Sequence, residues 1–301
     1  MSWLAIVILA YFLLAVSALG DKYILAGPPN SKSYSFYVGI LGILILVLIP
    51  FVGFSAPSLP QIFMALAAGI VLILANFCYF TALEHFELSR VAPAIGGILP
   101  LFTFGFVYLF AGGKENLGWD ELIAFILLIL GSIFITFKKE KIISLKSLRL
   151  SALAAFLFAG TFILTKYVYL SQPFWSGFFW MRIGGFLAAL CFLFSREIKD
   201  EIFRKKFSFG KKTGAIFLAN QAVGAGAFLL QNWAIALVPL SFLPFVNALE
   251  GTKYAFLLIF ATLFSLKFPA IFKEEISRRV ILQKIISVLL IATGLTILTL
   301  K

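Results

Sequence analysis

SALGDKYILAG, residues 17–27, closes the first apolar segment of the chain, and TFILTKYVYLS, residues 161–171, closes the sixth. Each carries a Lys-Tyr pair, Lys22-Tyr23 and Lys166-Tyr167, behind a similar apolar approach. A basic–aromatic dipeptide recurs by chance, so the pair counts only because the following segments correspond too. The third segment ends in Thr81-Ala82-Leu83 and the eighth in Ile235-Ala236-Leu237. A tight connection follows each, then a segment with an early proline, Pro93 or Pro244. Short polar turns come next, Lys114-Glu115 and Lys273-Glu274-Glu275, and each half closes on an apolar helix carrying Gly131 or Gly294. One five-helix unit used twice accounts for this order.

The 301 residues are 62% hydrophobic and 17% aromatic, with only 13% charged and a mean hydropathy of +1.05. A soluble chain carries about 25% charged residues. No Asp, Glu, Lys or Arg interrupts Ser33–Leu83, Val91–Gly113 or Thr213–Leu249. A helix needs about 20 apolar residues to cross the hydrocarbon. The first run therefore holds two crossings, parted by Gly53, Ser55, Pro57 and Pro60, and the third is divided near Pro239. The expectation is an all-α polytopic membrane protein with ten transmembrane helices: 2–20, 35–54, 61–83, 91–111, 119–137, 151–171, 175–195, 213–237, 242–266 and 280–300. The first segment lacks a basic leader and runs into Gly20-Asp21-Lys22, so it reads as a retained span.

The net charge of +12 is placed by topology. Lys138, Lys139, Lys141, Lys146 and Arg149 follow the fifth helix, a cluster from Arg196 to Lys212 follows the seventh, and Lys267, Lys273, Arg278 and Arg279 follow the ninth. All of these fall on one side of a ten-helix threading, whereas the other side has only Lys114 and Lys301. The positive-inside rule puts the basic loops in the cytoplasm and both termini outside, across a plasma (inner) membrane. Membrane lipids with anionic headgroups are the expected partners of the basic loops, and nucleic acid is not. Cys78 and Cys191 sit within helices as small buried hydrophobes, with no disulfide framework. The single His85 lacks companions for a metal site, and no cofactor is expected.

The basic stretch 138–150 divides the chain into a first repeat, 1–137, and a second, 151–301. Five is odd, so the second unit enters the membrane from the opposite side and the repeats are inverted. Such repeats are used for alternating access around a site near the midplane. Lys22 then lies toward the cytoplasm and Lys166 toward the outside, at opposite mouths of one path.

This layout, and the stretch Thr81-Ala82-Leu83 through Ala92-Pro93 and Leu99-Pro100 to Lys114-Glu115 and the Gly131 helix, resembles the drug/metabolite transporter superfamily and within it the EamA family. The resemblance covers essentially the whole chain. It implies a central cavity between two five-helix repeats and export or exchange of small metabolites such as amino acids, without ATP hydrolysis. Members are often drawn with cytoplasmic termini, whereas the loop charges here argue the reverse.

An ionisable residue inside a membrane helix is a functional candidate by default. In the ninth segment Glu250 and Lys253 stand at i and i+3, sharing a face on which they can pair. Glu250 is placed to bind a substrate amine or take a proton, and Lys253 to hold a carboxylate; the alternative is a self-neutralising pair that fixes packing. Asn247 precedes them. In the eighth segment Gln221 and Asn232 offer hydrogen bonds to a polar substrate or between helices, and Asn76 near Tyr79 in the third does the same. Arg182, in the middle of the seventh after Trp180, must face a partner, a cavity or water, and its planar fork suits a carboxylate or phosphate. Lys166 has a stem long enough to snorkel to the interface, and Asp21 is read as interfacial. Pro93, Gly96, Gly97 and Pro100 should kink or interrupt the fourth helix; with Pro244 and Gly251 they are gate candidates.

The leading expectation is a secondary transporter of small polar or amphipathic metabolites. The alternatives are a flippase for an amphipathic lipid carrier and a membrane-embedded enzyme. The enzyme is disfavoured because no His-rich cluster, paired intramembrane carboxylates, nucleophile elbow or Gly-rich phosphate loop is present. Whether the chain works as a monomer or homodimer stays open.

Overall fold

The computed structural model of the protein describes residues 2–25, 31–85, 88–110, 118–136, 145–195, 198–199, 211–253, 255–257, 260 and 278–299. Described residues in regular structure are helical throughout. The order is α1 (Ser2–Leu25), α2 (Ser31–Gly42), a 3-10 stretch (Ile43–Leu48), α3 (Ile49–Val52), α4 (Leu59–His85), α5 (Leu88–Phe110), α6 (Trp119–Thr136), α7 (Leu145–Ser171), α8 (Phe174–Cys191), α9 (Lys211–Leu237), α10 (Leu243–Ala248) and α11 (Arg278–Thr299). Each of the ten expected segments has a helical counterpart, the ninth within residues 243–253, 255–257 and 260.

Among the described residues six helices are long and apolar enough to cross a membrane: Trp3–Asp21, Lys32–Val52, Leu59–Ala82, Leu148–Ser171, Phe174–Phe194 and Gly214–Leu237. They mark an integral membrane protein. Large apolar side chains such as Phe63, Leu74 and Leu153 face outward from these helices, as lipid requires. Cys191 is exposed on the same outer surface instead of buried as expected, and Cys78 is partly buried.

Three local readings change. The first helix does not stop at Gly20 but continues to Leu25, which brings Asp21 into its last turns. Gly20 is needed there for close approach: a Cβ at this position would collide with the Asn220 side chain on α9. The second helix tightens into a 3-10 turn over Ile43–Leu48, just ahead of Pro50. That proline has no N–H to give to the carbonyl four residues back and stands in the first turn of α3, where a new helix starts. In the fourth segment, where a kink or an interruption is expected, α5 is not interrupted and runs from Leu88 to Phe110.

Helix α1 packs along α9, and α4 packs along both α7 and α8. α5 lies against α7 and α10, α6 against α11, and α2 against α8. The largest core joins Trp3, Val7 and Tyr11 of α1 with Phe125 and Leu128 of α6, Phe245 and Val246 of α10, and Ile291 of α11. Small residues bring α4 and α8 together. A Cβ on Gly69 would strike the Met181 carbonyl, and one on Gly184 the Leu66 backbone, as in close-packed membrane helix pairs.

Candidate functional site

Two polar groupings meet inside this apolar bundle. The first is the local pair expected from spacing. Lys253 donates to Glu250 Oε1 at 2.9 Å, with side chains 17% and 16% exposed. The pair lies just past a turn at Leu249 that ends α10, so it sits where the helix is irregular. Gly251 beside it is buried. Tyr11 of α1 and Tyr79 of α4 both lie within range of the Glu250 charge, and Tyr79 also within range of Lys253. The Tyr11 hydroxyl donates to the Val246 carbonyl at 2.7 Å and is bonded by Gln231, tying α1 to the start of this segment.

The second grouping links α1, α2 and α9. Asp21 Oδ1 accepts from the Tyr34 hydroxyl and from Asn220 Nδ2, the latter at 2.7 Å. Gln221 Nε2 donates to the Tyr34 hydroxyl at 3.1 Å. Tyr34 sits edge-on to Phe80 of α4 and Phe217 of α9, centroids 5.0 and 6.0 Å away. Tyr79 packs on the same Phe80 and lies within range of the Asp21 charge. With the expected first helix ending at residue 20, five residues before the observed end at Leu25, the sequence leaves Asp21 at the interface and gives no signal for Tyr34.

Arg182 stands apart from both. Its guanidinium carbon lies 4.0 Å over the Phe228 ring and 5.1 Å from that of Phe178, a cation held by aromatic faces. Its Nε is buried without a hydrogen-bond partner, and so is Nε1 of Trp180. Trp180 packs near Phe54. Gly42 of α2 is the backbone beside the guanidinium.

Other expected site residues turn out to hold helices together. Asn232 accepts from Tyr169 at 2.8 Å, joining α7 to α9, and donates to the Phe228 carbonyl of its own helix at 2.9 Å, so both ends of its amide are used. Asn247 donates to Thr103 at 2.7 Å, joining α10 to α5, while its Oδ1 is buried and unpartnered. Lys166, expected at a cavity mouth, is only 3% exposed and its Nζ donates to the carbonyls of Ile235 and Ala236, both at 3.1 Å. The C-terminal carbonyls of a helix lack internal donors, and the buried ammonium supplies them. Snorkelling is overruled because this polar partner lies closer than the surface.

Pro244 occupies the first turn of α10, where its missing N–H has no partner to lose. Gly96, Gly97 and Pro100 are buried on α5, and a Cβ on Gly97 would press on Ile133 of α6 at 2.7 Å. Asn76 is half-buried on α4. The side chains of Lys22 and Pro93 lie outside the described residues, as does the stretch 137–144; residues 145–150 of the expected basic loop already belong to α7. No group of three or more metal-ligating side chains occurs among the described residues.

Neither a family model nor a curated protein matches the sequence. The fold is similar to a solved structure, described only as the crystal structure of a protein, with a TM-score of 0.72. The match spans all of this chain and 99% of that one at 15% identity. It is a likeness of fold alone.

Proposed function

We propose that the protein is a secondary transporter that moves small polar or amphipathic metabolites by alternating access between two inverted five-helix repeats. The observation that carries this reading is the convergence of polar side chains from both halves of the chain inside an apolar bundle. Asp21, Tyr34 and Tyr79 come from the first half, and Asn220, Gln221, Glu250 and Lys253 from the second. Burying such groups is costly in a membrane and is retained where they serve a substrate or ion path.

Helix packing supports the inverted repeat. If the first helix corresponds to the sixth and the third to the eighth, the α1–α9 contact is the counterpart of the α7–α4 contact, and both are extensive. The second packs on the seventh (α2–α8), the fourth on the ninth (α5–α10) and the fifth on the tenth (α6–α11). Elements that meet their own equivalents are those that line a two-fold axis. The resemblance to the EamA family of drug/metabolite transporters is consistent with this layout.

Within this reading Glu250 and Lys253 bind the amine and carboxylate ends of an amino-acid-like substrate. Arg182, a partly buried cation set over aromatic faces with a buried, unpartnered Nε, suits an anionic group. Basic loops are cytoplasmic and both termini outside the cell membrane. A lipid-carrier flippase uses the same architecture and is the second reading. Purified protein screened against metabolites by thermal stabilisation, then assayed for flux of the hits in proteoliposomes, tests the proposal. Saturable flux lost in Glu250→Gln supports it; flux unchanged in both Glu250→Gln and Lys253→Gln removes the proposed site.

A further inference from the structure

Glu250 is already neutralised by a lysine at hydrogen-bond distance, whereas Asp21 is held by neutral donors alone. Tyr34 and Asn220 both bond to Oδ1, and among the described residues no donor reaches the second carboxylate oxygen. Neutral donors orient a carboxylate and spread part of its charge without cancelling it. The groups that face Asp21 from each neighbouring element are few. α2 presents Tyr34, α4 presents Tyr79, α9 presents Asn220 with Gln221 behind it, and the segment after α10 presents Lys253 within charge range. Lys253 is bonded to Glu250. Asp21, Glu250 and Lys253 together carry a net single negative charge.

Asp21 is partly buried, and the Tyr34 side that bonds it is packed in rings. Phe80 and Phe217 are buried against it, and Tyr37 packs on Phe217. A net charge among apolar side chains is costly to hold, and a cation beside aromatic faces gains from them.

The geometry points to Asp21 as a second binding site, distinct from the Glu250–Lys253 pair, that takes a cationic group: a proton or the ammonium of an amine. Its use in transport rests on the reading above, but the binding itself does not. A neutralised carboxyl is a weaker acceptor than a carboxylate, so occupancy loosens the bonds from Tyr34 and Asn220. The site thereby couples cation binding to the contact that holds α2 and α9 against α1. This moves the cation-coupling role from Glu250 to Asp21.

The test needs no knowledge of the substrate. The chain contains only three aspartates, Asp21, Asp120 and Asp200, so full-length protein labelled with 13C at the aspartate carboxyl and held in lipid nanodiscs gives three resonances. The Asp21 signal is the one lost in Asp21→Asn. Should that variant fail to fold, Tyr34→Phe identifies it as the signal that moves while the other two stay. Ethylammonium at fixed pH and a pH titration are the two probes. A step with pH and no response to ethylammonium assigns the site to a proton, and a shift with ethylammonium assigns it to an amine. A signal fixed at the charged position under both probes overturns the proposal. So does a signal that begins to titrate only in Lys22→Gln, since Lys22 is then the standing counter-ion.

Discussion

Glu250 and Lys253 stand within one helical turn and bond at 2.9 Å, so a purely structural pair and a substrate pair look alike in the resting protein. Single and double neutral substitutions separate them. Glu250→Gln or Lys253→Met alone leaves a charge without its partner. Each should lower Tm, with a stability loss below the roughly 3–5 kcal/mol of a fully buried pair because these side chains keep some exposure. The double variant should regain most of the Tm yet stay inactive in flux, because the groups that hold the substrate are gone; recovery of flux together with Tm would assign the pair to packing. Lys166 predicts the opposite pattern. Lys166→Met strips the α9 carbonyls of Ile235 and Ala236 of their donor, at a cost of about 1–3 kcal/mol. Thermal unfolding should shift down while the affinity for the transported solute is unchanged, and a selective loss of affinity would restore Lys166 to the path.

At the scale of elements, the α4–α8 contact depends on the absence of side chains. Gly184→Ala would push a methyl into the Leu66 backbone, where no flexible atom can yield. It should reduce thermal stability clearly. Gly226→Ala on α9 meets nothing within 4 Å and should be neutral or stabilising by up to about 1 kcal/mol; equal losses in both would refute the close-packing account. The helical segments were legible in sequence because uncharged runs of membrane-spanning length leave few other structures open. Their ends were less so. Gly20 read as a stop, yet it is a contact position for Asn220, and the 3-10 turn before Pro50 carries no signal beyond the proline itself. The site was legible in the same uneven way. Glu250–Lys253 is a local spacing that any helix imposes, whereas the bond from Asn220 to Asp21 spans 199 residues and that from Lys166 to Ile235 spans 69. Partners that distant in the chain are set by packing, which periodicity does not encode.

For the whole molecule, the two commitments are orientation and alternating access. In a background with Cys78→Ser and Cys191→Ser, a cysteine at Lys205 should react with an impermeant maleimide only from the cytoplasmic side and one at Lys114 only from outside. The reverse pattern would show that loop charge does not set the topology of this chain. Alternating access requires that polar groups from both halves serve one substrate. The most direct measurement is solute counterflow. Proteoliposomes loaded with an unlabelled amino-acid and amine mixture are diluted into the same solutes carrying a radiolabel, for wild type and for Glu250→Gln. The account predicts saturable uptake of label by the wild type that the variant lacks. Uptake no greater than in protein-free liposomes, or equal uptake by wild type and variant, would contradict it.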